Sequence, residues 1–207
     1  MKQKQILSGV VAMLLTTAGP AVASYISESE PNNSIAAAQN VDAFFSLDAD
    51  DDITDATTVP HVSIRGNGNN EAVAASSRDF FSFNVAVDDT TVLFDIDYGE
   101  YDLDSWLNLY RADGTFLGSN DDGGIIDSGT FDIYDSYWSI VLGAGTYVVS
   151  VGRSGDQDLL LEQDYILHIS VPNHTVPVPV PVAEPASLAL LGIGLAGLGA
   201  MRRRKTA

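Results

Sequence analysis

From residue 79 onward, apolar and polar residues alternate with a period of two, the pattern of strands that bury one face. Phe81, Phe83, Val85 and Val87 alternate with Ser82, Asn84 and Ala86. After an Asp88-Asp89 turn, Val92, Phe94, Ile96 and Tyr98 alternate with Leu93, Asp95 and Asp97. A hairpin follows, in which a run from Ser105 meets Asp113-Gly114, a dipeptide that tolerates the positive φ of a tight turn. With those two as the turn residues, Ala112 pairs with Thr115 and Leu107 faces Asn120. Trp106 then faces Asp121, Ser105 faces Asp122 and Asp104 faces Gly123. Tyr137 to Leu142 reads as a strand, Gly143-Ala144-Gly145 as a turn, and Thr146 to Val151 as its partner, with Tyr147, Val149 and Val151 on one face. The last strand is Asp164 to Val171, with Tyr165, Leu167, Ile169 and Val171 inward, which puts His168 on the face opposite the core. Trp106 and Trp138 lie within strands and read as core. Short strands, glycine turns and almost no helix predict an all-β fold, an antiparallel β-sandwich.

Upstream the pattern is weaker. Pro31 bars a regular helix, and Ser34 is placed to cap a short helical turn over Ile35 to Asn40. The acidic run Asp48 to Asp55 invites comparison with an EF-hand loop. It fails, because Ile53 stands where glycine is needed and no glutamate closes the loop. It reads as a solvated loop, and Gly66-Asn67-Gly68-Asn69-Asn70 as a surface turn.

The two ends read as addresses. Residues 1–24 form a signal peptide: Lys2 and Lys4 precede an apolar helical run, Ile6 to Ala18, and Ala21-Val22-Ala23 supplies small residues for cleavage after Ala23 or Ser24. A sandwich domain occupies 25–172. A Pro-Val linker, 173–183, is an extended spacer and contains His174. Residues 184–207 hold Glu184-Pro185, a short apolar membrane helix from Ala186 to Met201, and the cluster Arg202-Arg203-Arg204-Lys205, which orients the C-terminus to the cytoplasm. This three-part end resembles the PEP-CTERM sorting signal of exported bacterial proteins, with Ala183 where that motif has its first proline. The resemblance implies an exosortase-type processing enzyme as partner, transient or permanent membrane contact, and delivery to the cell envelope, the cell surface or the extracellular matrix.

Charge narrows the function further. The chain has 10 basic and 28 acidic residues, a net charge of −18. Between the terminal basic clusters stand only Arg65, Arg78, Arg111 and Arg153 against all the acids. Such a body repels nucleic acid and attracts divalent cations. The absence of cysteine removes disulfides, thiolate metal sites and cysteine nucleophiles. With three histidines, no Gly-x-Ser-x-Gly elbow and no His-Glu-x-x-His, the chain is not expected to be an enzyme.

Two places collect candidate metal ligands. At the open end of the hairpin, Asp102 and Asp104 meet Asp121 and Asp122, and like charges gathered there suit a hard cation. The other place follows from a second resemblance. Glu28-Ser29-Glu30-Pro31-Asn32-Asn33-Ser34, Asp79-Phe80-Phe81-Ser82-Phe83, Leu107-Asn108-Leu109-Tyr110 with Asp113-Gly114, Asn120-Asp121-Asp122, Gly143-Ala144-Gly145-Thr146-Tyr147-Val148-Val149 and Tyr165-Ile166-Leu167 follow the order of the bacterial pre-peptidase C-terminal domain. That resemblance, over about residues 26–171, implies a non-catalytic jelly-roll-like sandwich. It also implies a Ca2+ site with Glu28, Glu30, Asn32 and Asn33 in the linker and Asp79 in a loop. The expected function is an exported, non-enzymatic module that binds calcium or an extracellular polysaccharide or protein. The alternatives are an accessory or inhibitory domain acting on a secreted protease, and a small secreted hydrolase.

Overall fold

Period-two alternation works only if each strand finds a partner and a second sheet to cover its apolar face, and both are present in the computed structural model. It describes residues 25–70, 75–99, 102–124, 128–130 and 133–177. The signal peptide, the membrane helix and most of the Pro-Val linker lie outside the described residues.

The strands are β1 (Ile26–Ser27), β2 (Gln39–Asn40), β3 (His61–Asn67), β4 (Asn69–Asn70), β5 (Ala75–Ser76), β6 (Asp79–Val85), β7 (Thr90–Asp97), β8 (Ser105–Arg111), β9 (Phe116–Asn120), β10 (Tyr137–Leu142), β11 (Gly145–Arg153) and β12 (Asp164–Ser170). One five-stranded sheet has the order β1-β3-β12-β7-β10 and the other β2-β6-β11-β8-β9, with β4 and β5 forming a small separate pair. The fold is an all-β two-sheet sandwich. The pairings are antiparallel except for two short edge contacts, β1 with β3 and β2 with β6, which are parallel.

The inner faces are the ones the alternation selects. Phe94, Ile96, Leu167 and Ile169 from the first sheet meet Phe81, Phe83, Leu107, Leu109 and Val149 from the second, all fully buried. Phe83 and Phe94 meet edge-to-face across the sheets at 5.6 Å between ring centroids. Burying such side chains contributes about 1.5–3 kcal/mol each. Trp138 packs against this core, but Trp106 is half-buried on the outer face of β8, where its indole N–H donates to Asn108 Oδ1 at 3.0 Å.

Several local expectations are corrected. The hairpin turn has three residues, not two: Arg111 N–H donates to Thr115 O, Gly114 N–H donates to Arg111 O, and Gly114 has φ +89°. This shifts the pairing by one, to Tyr110 with Phe116. A bulge beyond it restores the expected register, Leu109 with Gly118 and Leu107 with Asn120. β10 and β11 are not hairpin partners. β10 pairs with β7 and β11 with β6 and β8, so the Gly143–Gly145 segment crosses between sheets. Ser34 precedes a 3₁₀ turn of three residues, Ile35–Ala37, without a side-chain cap, and Gln39–Asn40 is strand. β3, which pairs with β1 and β12, includes Gly66 and Asn67 of the expected surface turn.

Candidate metal centres

The linker site is built by a chain segment that bridges both sheets. Ile26 and Ser27 pair with Ile64 and Arg65 of β3, and Glu28 N–H extends that ladder to Arg65 O at 2.9 Å. After Pro31 the segment reaches the second sheet, where Phe80 N–H donates to Asn32 O at 2.9 Å. Ile26 packs against the core, so the polar residues next to it are held against the sandwich edge. Asn32 and Asp79, the first residue of β6, are fully buried.

The hydrogen bonds orient this site without satisfying it. Glu28 Oε1 accepts from Asn67 N–H at 2.8 Å, and Glu30 Oε2 accepts from Asn32 N–H at 2.8 Å and Asn33 Nδ2 at 3.0 Å. Asp79 accepts from the Tyr165 hydroxyl at 2.7 Å and from Ser77 Oγ at 3.3 Å. Glu30 Oε1, Asn32 Oδ1 and Asn33 Oδ1 are buried and have no hydrogen-bond partner. Burial, and then the charge of Asp79, pushes the Glu28 carboxyl up to about 9. Burial raises Asp79 to about 7, against the opposing hydrogen bonds from Tyr165 and Glu28. Burial, followed by the Asp79 charge, holds the Tyr165 hydroxyl well above its ordinary range. A groove of about 530 Å³, bordered by Glu28, Glu30, Arg65 and Asn67, gives access from solvent.

At the hairpin base, Asp104, Asp121 and Asp122 come together as expected, with ligand oxygens within 4.8 Å of one another. They do so without the expected strand pairing. The ladder ends at Asn120, and Gly123 N–H turns away to donate to Asp135 O at 2.8 Å. Asn120 Oδ1 and Asp121 Oδ1 are buried there without a hydrogen bond. Asp102, exposed and with φ +55°, does not join the set. Glu28, Glu30 and Asp79 are not among the sets of acids or histidines that close to that spacing.

A third cluster escaped the sequence reading. The acidic segment from Asp48 is not a solvated loop throughout. Ile53 and Ala56 are buried, and the Asp50 side chain is 4% exposed. The segment lies over the outer face of the first sheet and covers His168, which faces away from the core as expected but is only 3% exposed. Asp52, Asp97 and His168 bring ligand atoms within 4.8 Å of one another and could hold a metal ion. The available signal was an isoleucine and an alanine inside an acidic run, facing polar positions on the outer side of paired strands. His174 is not a free linker residue either: its ring stacks on Phe45 at 3.7 Å, and Nε2 lies 3.0 Å from Asp42 Oδ1.

Fold and sites together define an acidic two-sheet β-sandwich with several clusters of oxygen ligands. Residues 181–205 match the PEP-CTERM protein-sorting motif, as the three-part tail predicts. This motif indicates export to the cell surface and implies exosortase processing. The pre-peptidase C-terminal domain of collagenase from Bacillus anthracis is similar over 53% of this chain and 88% of its own, at 14% identity and a TM-score of 0.36. PliG of Aeromonas hydrophila, a periplasmic inhibitor of g-type lysozyme, is similar over 55% and 86%, at 13% identity and a TM-score of 0.33. The ANXUR1 extracellular domain from Arabidopsis thaliana is similar over 57% and 34%, at 13% identity and a TM-score of 0.26. A search of curated proteins returned no match.

Proposed function

We propose that this protein is a non-enzymatic binding module of the cell surface whose N-terminal linker takes up calcium through Glu28, Glu30, Asn32, Asn33 and Asp79. The observation that carries this reading is the set of three buried oxygens, on Glu30, Asn32 and Asn33, that accept no hydrogen bond. Leaving such a group unsatisfied costs about 1–3 kcal/mol. Calcium takes six to eight oxygen ligands from carboxylates and amides, and would satisfy all three while its two charges offset two of the three acids. The ion would draw the glutamates inward and fasten the linker across both sheets, presenting a rigid edge to an extracellular partner.

A ligand that binds the folded state alone stabilises it by about 2.7 kcal/mol at one hundred times its dissociation constant. Thermal unfolding of the purified full-length protein should therefore shift upward in millimolar calcium, with Glu30→Gln removing most of the shift. The same melting temperature in calcium and in chelator would overturn the reading. The hairpin base is a second calcium candidate because its three aspartates already have ligand spacing. Loss of the shift in Asp121→Asn with retention in Glu30→Gln would assign the ion there.

A further inference from the structure

The outer face of the first sheet carries a cross-strand row, Ser63 on β3, His168 on β12 and Asp95 on β7, paired directly in register. Asp97 stands two residues along β7 on the same face. The segment from Asp48 supplies Asp50 and Asp52 from above.

The hydrogen bonds place a hydrogen on His168 Nδ1. Ser63 Oγ donates to Asp50 Oδ2 at 2.9 Å, which commits the one hydroxyl proton. Ser63 Oγ also lies 2.8 Å from His168 Nδ1 and can only accept there, so Nδ1 carries a hydrogen. In the neutral ring, Nε2 is then a lone pair. This buried atom forms no hydrogen bond, although Asp97 Oδ2 lies only 3.1 Å away. A lone pair facing a carboxylate oxygen at that distance is repulsive unless a proton or a metal cation lies between them. Two ligands bound to one ion at about 2.1 Å, at octahedral or tetrahedral angles, stand roughly 3.0–3.4 Å apart. The observed separation falls in that interval.

We propose that His168 Nε2, Asp97 and Asp52 bind one first-row divalent transition-metal cation, which fastens the acidic segment to the sheet. The supporting hydrogen bonds are those of an oriented ligand set. Asp52 accepts from the Tyr98 hydroxyl at 3.0 Å and from Ser128 Oγ at 3.1 Å. Asp97 Oδ1 accepts from Thr130 Oγ1 at 3.3 Å. The relay from His168 through Ser63 to Asp50 holds the ring in the tautomer that frees Nε2. An imidazole ligand favours zinc-like ions over calcium, which prefers oxygen throughout. The Ser63–His168–Asp97 order also resembles a hydrolase relay. Here Ser63 gives its proton to Asp50 rather than to histidine, so the hydroxyl is not activated for attack.

Zn2+ is the probe, added to full-length protein first stripped with chelator. One equivalent should bind, His168→Gln should weaken it at least about 100-fold, and Ser63→Ala about tenfold. Calcium-dependent stabilisation should be unchanged in His168→Gln. Nitrogen NMR of the unmodified protein reads the ring without any substitution: Nδ1 stays protonated, and the Nε2 resonance shifts on adding Zn2+. The proposal is overturned if no saturable Zn2+ binding occurs, or if binding is undiminished in both His168→Gln and Asp97→Asn. A proton on Nε2 that persists with Zn2+ present also overturns it, making His168 a buried imidazolium that neutralises the acids.

Discussion

Calcium binding at the linker should release protons, because Glu28 and Asp79 are raised to about 9 and about 7 by burial foremost. In the unfolded chain both carboxyls ionise at ordinary values, near 4.5 and 3.8. Between those values and the raised ones, the folded state holds more protons than the unfolded state. Without calcium, the contribution of each group to stability is therefore complete below its ordinary value and is lost as pH climbs through the raised one. At about 1.4 kcal/mol per pH unit, Glu28 alone should cost the calcium-free protein about 3 kcal/mol between pH 6 and pH 8. Calcium affinity should move the other way, rising roughly tenfold per pH unit above pH 7 while one proton is displaced. Urea unfolding in chelator near pH 6 and pH 8 measures the first effect. Calorimetric titration in buffers of different ionisation enthalpy counts the protons for the second. Glu28→Gln, a permanent mimic of the protonated group, should flatten the pH dependence of stability and weaken calcium binding. A chelated protein of equal stability at both pH values, or binding enthalpies independent of buffer near neutrality, would refute the reasoning.

Three further outcomes test the packing around these sites. Tyr165→Phe removes the 2.7 Å donor to the buried Asp79 carboxylate and should cost about 2 kcal/mol in urea unfolding, with the loss largest above pH 7. Gly114→Ala places a side chain at φ +89° in the hairpin turn and should cost about 1 kcal/mol by the same measurement, leaving calcium binding intact. Phe83→Ala empties the centre of the sandwich beside Phe94 and Tyr147 and should cost about 3–5 kcal/mol.

The hairpin shows how a correct register can follow from an incorrect turn. Asp113-Gly114 suggests a two-residue turn, and the real loop adds one residue, which by itself would move every outward pair. The bulge beside Tyr110 takes that residue back, so Leu107 and Leu109 still face inward. The demand that both leucines stay buried outranks local turn chemistry, because a one-residue slip would turn the strand's apolar side to water. Gly143-Ala144-Gly145 gives the opposite result. Such a turn permits either a hairpin or a crossing between sheets, and nothing local chooses. The choice lies with distant partners: β7 offers an edge to β10, while β6 and β8 leave a gap that β11 fills.

The sites divide along the same line. Glu28, Glu30, Asn32 and Asn33 are close in sequence, so their meeting is legible, and only Asp79 must be supplied by the fold. The His168 cluster depends on pairing between residues 105 apart, Ser63 with His168, and on a loop that reads locally as solvent-exposed. One strand ties the two together. On β12, Tyr165 points inward to Asp79 and the linker, whereas His168, three residues on, points outward beneath Asp50 and Asp52. Opposite parity on a strand puts these side chains on opposite faces. The alternation that builds the core therefore also keeps the imidazole away from the oxygen-rich linker. A calcium-suited site and a zinc-suited site can then share a strand without sharing a ligand.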